Sequence, residues 1–283
     1  MDRTLVELAA AFEEAGVEFV ALKGPVLAHL AYPDPTWRSY GDLDVLVRTA
    51  DWSEACQVLE EGGFLRDLPE PRRGFSARFG KAASFSGPGG ISVDLHRTLA
   101  LGPFGLWLSP EELFDRTAPF GLGGRTILRL DDTALMAHAA AHAALGWTPP
   151  LLLPLRDAVQ VAGTRAVDWT RLEEDAARWR LTAVVQAALR TARDVLGASV
   201  PRGAEALMAR RVDRREERAL EAYAGTRRLR GSMAVATLAA IDGLRPKAEY
   251  VSALLFPSRE FLEARGATAS QRWGRSLRRL VRR

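Results

Sequence analysis

Apolar residues recur along this chain with two different periods, and the change of period near residue 130 divides it. Leu5, Leu8, Ala9 and Phe12 fall at helical spacing, so residues 2–15 predict a helix that Gly16 ends. The run from Val17 to Leu22 reads as a strand. Lys23-Gly24-Pro25 breaks it, and Pro25 suits the first turn of a helix running to about Tyr32. Residues 33–41, with Pro33, Pro35 and Gly41, form a loop. Leu43 to Arg48 is a strand, Asp51 to Glu61 a helix, and Gly62-Gly63 its stop. Residues 76–86 and 90–96 read as two strands joined by a turn at Gly87-Pro88-Gly89-Gly90, and a further hairpin turns at Gly123-Gly124. From Asp131 onward nearly every segment has helical periodicity. The expected fold class is therefore α+β: a small mixed sheet with flanking helices over residues 1–130, an all-helical part over 131–283, and a cleft between them.

The chain's end changes the picture. Residues 268–283 carry six arginines, while Trp273, Leu277, Leu280 and Val281 fall on one helical face. This predicts an amphipathic basic helix suited to docking on the protein's own core, holding RNA or touching a membrane surface, with core docking preferred. Residues 201–283 hold 19 Lys and Arg against 9 Asp and Glu, a net +10, and residues 1–200 net −6. A basic C-terminal region implies an anionic partner; solvated Arg-rich helix faces explain it equally well.

With 47 % hydrophobic residues among 283, the chain can bury a sizeable core. Cys56 is the single cysteine, so no internal disulfide points to an oxidising compartment, and its helical position suits a small core residue. Asp2, Glu7, Glu13 and Glu14 interrupt the N-terminal apolar stretches, unlike a signal peptide. The longest stretch free of Asp, Glu, Lys and Arg, Thr133 to Leu155, contains two histidines, Gly146 and three prolines. A helix and a Pro-rich turn explain it better than a membrane span. The expected location is the cytoplasm.

The informative segment is Gly41-Asp42-Leu43-Asp44-Val45-Leu46-Val47. In a strand Asp42 and Asp44 share a face, about 7 Å apart along the chain, while Leu43, Val45 and Val47 face the core. Two such carboxylates can clamp a hard cation such as Mg²⁺ together with substrate phosphates. In Ile91-Ser92-Val93-Asp94-Leu95-His96 the same alternation puts Ser92, Asp94 and His96 on one face. Asp94 offers a third carboxylate, or a base for an acceptor hydroxyl. His96 either bonds that carboxylate and helps bind substrate, or is a strand-end histidine at the core's edge. Asp-x-Asp alone is a weak signal, since many such pairs are solvated strand ends. His138 and His142 lie four apart on a helix, a metal-ligand spacing. Without a glutamate beside His138 they read as packing histidines before they read as zinc ligands. Asp157 either reaches the cleft from the helical half or is a helix-terminal charge.

The order Leu22-Lys23-Gly24, Tyr32-Pro33, Arg38, Gly41-Asp42-Leu43-Asp44-Val45-Leu46-Val47, then Val93-Asp94-Leu95-His96 resembles the uncharacterised nucleotidyltransferases of the polymerase-beta superfamily. The resemblance spans roughly residues 5–165 and extends to His138, His142 and Asp157. It implies a nucleotidyltransferase core over residues 1–130, with metals on Asp42, Asp44 and Asp94. These would be two Mg²⁺ ions, with Mn²⁺ as a substitute. Lys23, Gly24, Arg38, Ser39 and His96 would contact the nucleotide, ATP or another NTP. One departure bears on the phosphate cradle: Pro25 has no N–H to donate, so its burden shifts to Lys23 and Arg38.

The expected reaction is transfer of NMP from an NTP to an acceptor hydroxyl or phosphate, releasing pyrophosphate. The acceptor stays open between tRNA, as for a toxin-like nucleotidyltransferase held to RNA by the basic C-terminal region, and a small molecule or peptide, as for a tailoring enzyme. A non-catalytic nucleotide-binding protein is the third alternative.

Overall fold

The apolar stripe of residues 2–15 folds as α1 (Asp2–Glu14), which buries Leu5, Leu8, Ala9 and Phe12. The computed structural model describes residues 1–146, 151–224 and 230–266. After α1 come β1 (Phe19–Leu22), α2 (Lys23–Ala31), β2 (Asp42–Val47), α3 (Trp52–Glu61), β3 (Leu65–Arg66), α4 (Phe75–Phe79), β4 (Ala82–Ser86) and β5 (Ser92–His96). Two short helices, α5 (Pro103–Trp107) and α6 (Pro110–Phe114), lead to the hairpin β6 (Thr117–Leu122) and β7 (Arg125–Leu130). The rest is helical: α7 (Asp132–Leu145), α8 (Leu152–Thr164), α9 (Trp169–Arg178), α10 (Thr182–Leu196), α11 (Glu205–Ala209), α12 (Arg214–Ala224), α13 (Arg230–Ala240), α14 (Leu244–Leu255) and α15 (Arg259–Ala264). The architecture is α+β, a mixed sheet followed by helices.

The sheet has the order β3-β4-β5-β2-β1-β7-β6. β2 is its middle strand, antiparallel to β1 and parallel to β5. A middle strand is covered on both faces, which is why Leu43, Val45, Leu46 and Val47 are all buried rather than alternating. One apolar core runs from α1 and the sheet into α7, α8 and α10. The alanine-rich α7 is buried nearly all round, and the Asp131 carboxylate caps it by accepting from the Ala134 N–H at 2.7 Å.

Two expectations change. Helix α2 begins at Lys23, directly after β1, with no break before Pro25. Residues 76–86 do not form one strand: α4 comes first, then β4 from Ala82. Phe75 and Phe79, one helical turn apart, pack together and against Tyr250 of α14, and this tertiary contact favours the helix. At Gly80 an added Cβ would lie 2.9 Å from the Ser76 carbonyl oxygen, so glycine permits the exit from that helix. The hairpins at 87–90 and at Gly123-Gly124 form as expected. Among the described residues no helix is long and apolar enough to cross a membrane. The basic segment 268–283 lies outside the described residues.

Candidate active site

The polypeptide turns from β1 straight into α2 because Lys23 adopts a positive φ of 36°, a costly conformation for a residue with a side chain. That turn brings the Lys23 ammonium to 2.5 Å from Asp44 Oδ1. Gly24 then passes close to the next segment. A Cβ there would lie 3.3 Å from the Tyr40 ring and 3.4 Å from the Asp42 carbonyl oxygen. The Tyr40 hydroxyl donates to Asp2, which also pairs with His29, so α1, α2 and the loop before β2 are tied together.

β2 and β5 run parallel with Asp44 opposite Asp94 and Asp42 opposite Ser92. One oxygen each of Asp44 and Asp94 and a ring nitrogen of His96 lie within 4.8 Å of one another. Asp42 is outside that cluster, half-buried at the entrance of the same strand. His96 is fully buried; its Nε2–H donates to Asp44 Oδ1 at 2.7 Å, and its Nδ1 faces the Thr98 carbonyl oxygen at 3.2 Å. The Ser84 hydroxyl on β4 donates to Asp94 Oδ1 at 2.6 Å. Burial alone would raise the Asp44 pKa, but the His96 hydrogen bond and the Lys23 charge outweigh it and hold this carboxyl well below the usual range. Asp42 moves the other way, pushed up by burial and by the charge of Asp44.

Arg38 is 5 % exposed and already paired. Its Nε and Nη2 donate to the two oxygens of Asp157 on α8, at 3.3 and 2.9 Å. The Tyr32 hydroxyl donates to the same carboxylate at 2.7 Å. This tie joins the loop before β2 to the helical half, and Asp157 is a buried structural partner there. A cavity of about 210 Å³ is lined by Lys23, Arg38, Ser39, Asp42, Asp44 and His142. His138, the other α7 histidine, is buried, and burial drives its pKa well down. Among the described residues neither joins a cluster with metal-ligand spacing.

Burial and the Lys23 charge push His142 down to about 3. An unfolded histidine takes its proton near 6.5, so below that pH the unfolded chain binds the extra proton and the folded one does not. The contribution of His142 is therefore complete above about pH 6.5 and is lost as pH falls toward 3. Urea midpoints at pH 7.5 and pH 5 should show this loss, with a shallower dependence in His142→Asn; an equal dependence in that variant would assign the acid sensitivity to other groups.

A family described as uncharacterised nucleotidyltransferase matches residues 1–197. The chain belongs to this family. A nucleotidyltransferase-like antigenic protein from Paracoccidioides brasiliensis, of known structure, matches over 66 % of this chain and 92 % of its own, at 13 % identity and a TM-score of 0.37. No curated protein matches.

One more residue faces the carboxylates, and the sequence patterns did not mark it. Lys81, between α4 and β4, carries an ammonium with no hydrogen-bond or ion-pair partner among the described residues. Burial and the charge of Lys23 lower its pKa, while Asp44, Asp94 and Asp42 oppose that. Reading residues 76–86 as one strand hid this lysine inside a predicted hairpin arm.

The charges around the site do not cancel. Arg38 and Asp157 neutralise each other, and burial disfavours the charged form of His96, His138 and His142. Among the described residues Asp42, Asp44 and Asp94 then face two ammonium groups, Lys23 and Lys81. Asp44 Oδ2 and Asp94 Oδ2 make no hydrogen bond among the described residues. Hard carboxylate oxygens with free lone pairs, three carboxylates beside two ammonium groups among the described residues, fit a divalent cation such as Mg²⁺.

Proposed function

We propose that the protein transfers a nucleoside monophosphate from an NTP to an acceptor hydroxyl or phosphate and releases pyrophosphate. The observation that carries this reading is the register of Asp44 with Asp94 on adjacent parallel strands, in a family of nucleotidyltransferases. Residues 1–130 would supply the carboxylates, and residues 131–283 would cover them from α7 onward.

Asp42, Asp44 and Asp94 would hold the divalent cation, two Mg²⁺ ions in the fullest form of the site. When bound, the metal polarises phosphoryl oxygens and balances charge on the leaving group. Lys23 stands at the start of α2, where backbone N–H groups favour an anion, and would carry the phosphate charge with them. Pro25 contributes no N–H there. Arg38, locked by Asp157, would orient the triphosphate through Ser39 and the loop into β2 more than it neutralises it. Asp94, held by Ser84 through one oxygen, would take the acceptor's proton on the other.

Incubating the protein with each α-³²P-labelled NTP, Mg²⁺ and mixed acceptors, total tRNA and small alcohols among them, should yield labelled product. Chelation with EDTA should abolish that product, and added Mg²⁺ or Mn²⁺ should restore it. Transfer that persists undiminished in EDTA would remove the metal from the reading.

A further inference from the structure

Asp94 also lines a second cavity, of about 610 Å³, which Asp42 and Asp44 do not line. Lys81, Ser84 and Asp94 line it, and so do the polar residues Arg66, Asp67, Ser76 and Thr237. Apolar walls come from α4, α13 and α14, through Phe75, Phe79, Met233 and Tyr250. The Phe75 and Tyr250 rings stack with centroids 6.0 Å apart, and Phe79 meets Tyr250 at 5.4 Å. Leu68 and Leu101 line the same cavity and are 40 % and 49 % exposed, apolar positions in contact with solvent.

We propose that this cavity is the acceptor site, and that the acceptor is a small molecule with an aromatic or similarly apolar body and one nucleophilic hydroxyl. The proposal rests on the nucleotidyl-transfer reading and names its substrate class. A pocket of several hundred cubic ångströms with aromatic and aliphatic walls and a few polar groups suits a drug-sized ligand. A nucleic-acid end would bring phosphates and would need free cations along the walls. Only two arginines among the described residues line the cavity, Arg66, bonded to Ser76 and paired with Glu70, and Arg265, over the Phe261 ring, too few to track a phosphate backbone. Lys81, which has no ion-pair partner among the described residues, stands beside the carboxylates. With its body between α4 and α14, the acceptor presents its hydroxyl to Asp94. The hydroxyl oxygen forms the new bond to the α-phosphorus, and its proton passes to the Asp94 carboxylate. The bond from the α-phosphorus to the bridging oxygen breaks, and the electron pair leaves with pyrophosphate.

The test uses 4-hydroxybenzophenone, a photoreactive phenol, on the full chain with ATP and Mg²⁺, with labelled peptides mapped by mass spectrometry. The expected result is label on Met233 and its neighbours in the cavity, unaffected by excess tRNA. Leu68→Glu and Leu101→Glu, both at exposed positions that tolerate the change, should each cut this label roughly fivefold by placing a charge on an apolar part of the lining. Their ATP affinity should be unaltered. Label elsewhere, label insensitive to both variants, or protection by tRNA would overturn the proposal. Cavity labelling in a protein that binds no NTP would overturn the nucleotidyl-transfer reading and the acceptor role with it, leaving only a small-molecule site.

Discussion

Asp44→Asn is expected to lower nucleotidyl transfer by at least ~10³-fold, about 4 kcal/mol of transition-state stabilisation, while the protein stays folded. Asp44 is 3 % exposed, and a single oxygen of its carboxylate receives both Lys23 and His96. Asparagine keeps the shape and one acceptor oxygen but removes the charge that orients the ammonium and that would hold the metal with Asp94. Asp44→Ala is the harsher variant. It strands the Lys23 ammonium, only slightly exposed, without its partner, a change that costs about 3–5 kcal/mol in buried pairs. Comparing the two separates chemistry from folding: initial rates of label transfer report the first, and urea unfolding of the same samples reports the second. Wild-type turnover in Asp44→Asn would take Asp44 out of the reaction.

Asp157→Ala is expected to be the most destabilising single change away from the carboxylates. The Asp157 carboxylate is 1 % exposed and receives Arg38 through two nitrogens and Tyr32 through its hydroxyl. Its removal leaves a guanidinium and a phenol buried without their acceptor, a loss of about 3–5 kcal/mol. For a chain of this size the melting temperature should fall by on the order of 10 °C. Replacing both charged partners, Arg38→Met with Asp157→Leu, should recover much of the stability, because breaking a pair costs more than replacing it with apolar side chains. A loss below about 1 kcal/mol in Asp157→Ala would show that solvent reaches the guanidinium and that the tie is weak.

The strand alternation at Asp42-Leu43-Asp44 and at Val93-Asp94-Leu95 was legible because period-2 patterns survive even in covered strands. It placed Asp44 and Asp94 on faces that the structure sets side by side. Alternation carries no register, so nothing in the pattern distinguished Asp42, opposite Ser92, from Asp44, opposite Asp94. The Arg38–Asp157 tie spans more than a hundred residues, and no local signal announces such a pairing. The position of Arg38 ahead of the Asp-x-Asp strand suggested a phosphate contact, and in the structure two of its five donors go to Asp157 and a third to the Ser39 carbonyl oxygen. Lys81 stands where α4 gives way to β4, a boundary that no local pattern marks. Ser-Ala-Arg-Phe has no helical period of its own, and the contact with Tyr250 that makes it a helix comes from α14. His96 was correctly placed on the face of Asp94, but its bond goes to Asp44 on the neighbouring strand.

The place of β1 in the sheet has a consequence for how the protein is made. Phe19–Leu22 are all buried, with β2 on one side and β7 on the other. β2 leaves the ribosome soon after β1, but β7 follows more than a hundred residues later. At about 5–20 residues per second, the nascent chain carries β1 as an open apolar edge for roughly 5–20 s. An open edge of that kind templates pairing with other chains. Newly synthesised molecules are therefore at greatest risk of aggregation before Leu130 has emerged, and a holdase that covers residues 19–22 during that interval should raise the yield of folded protein.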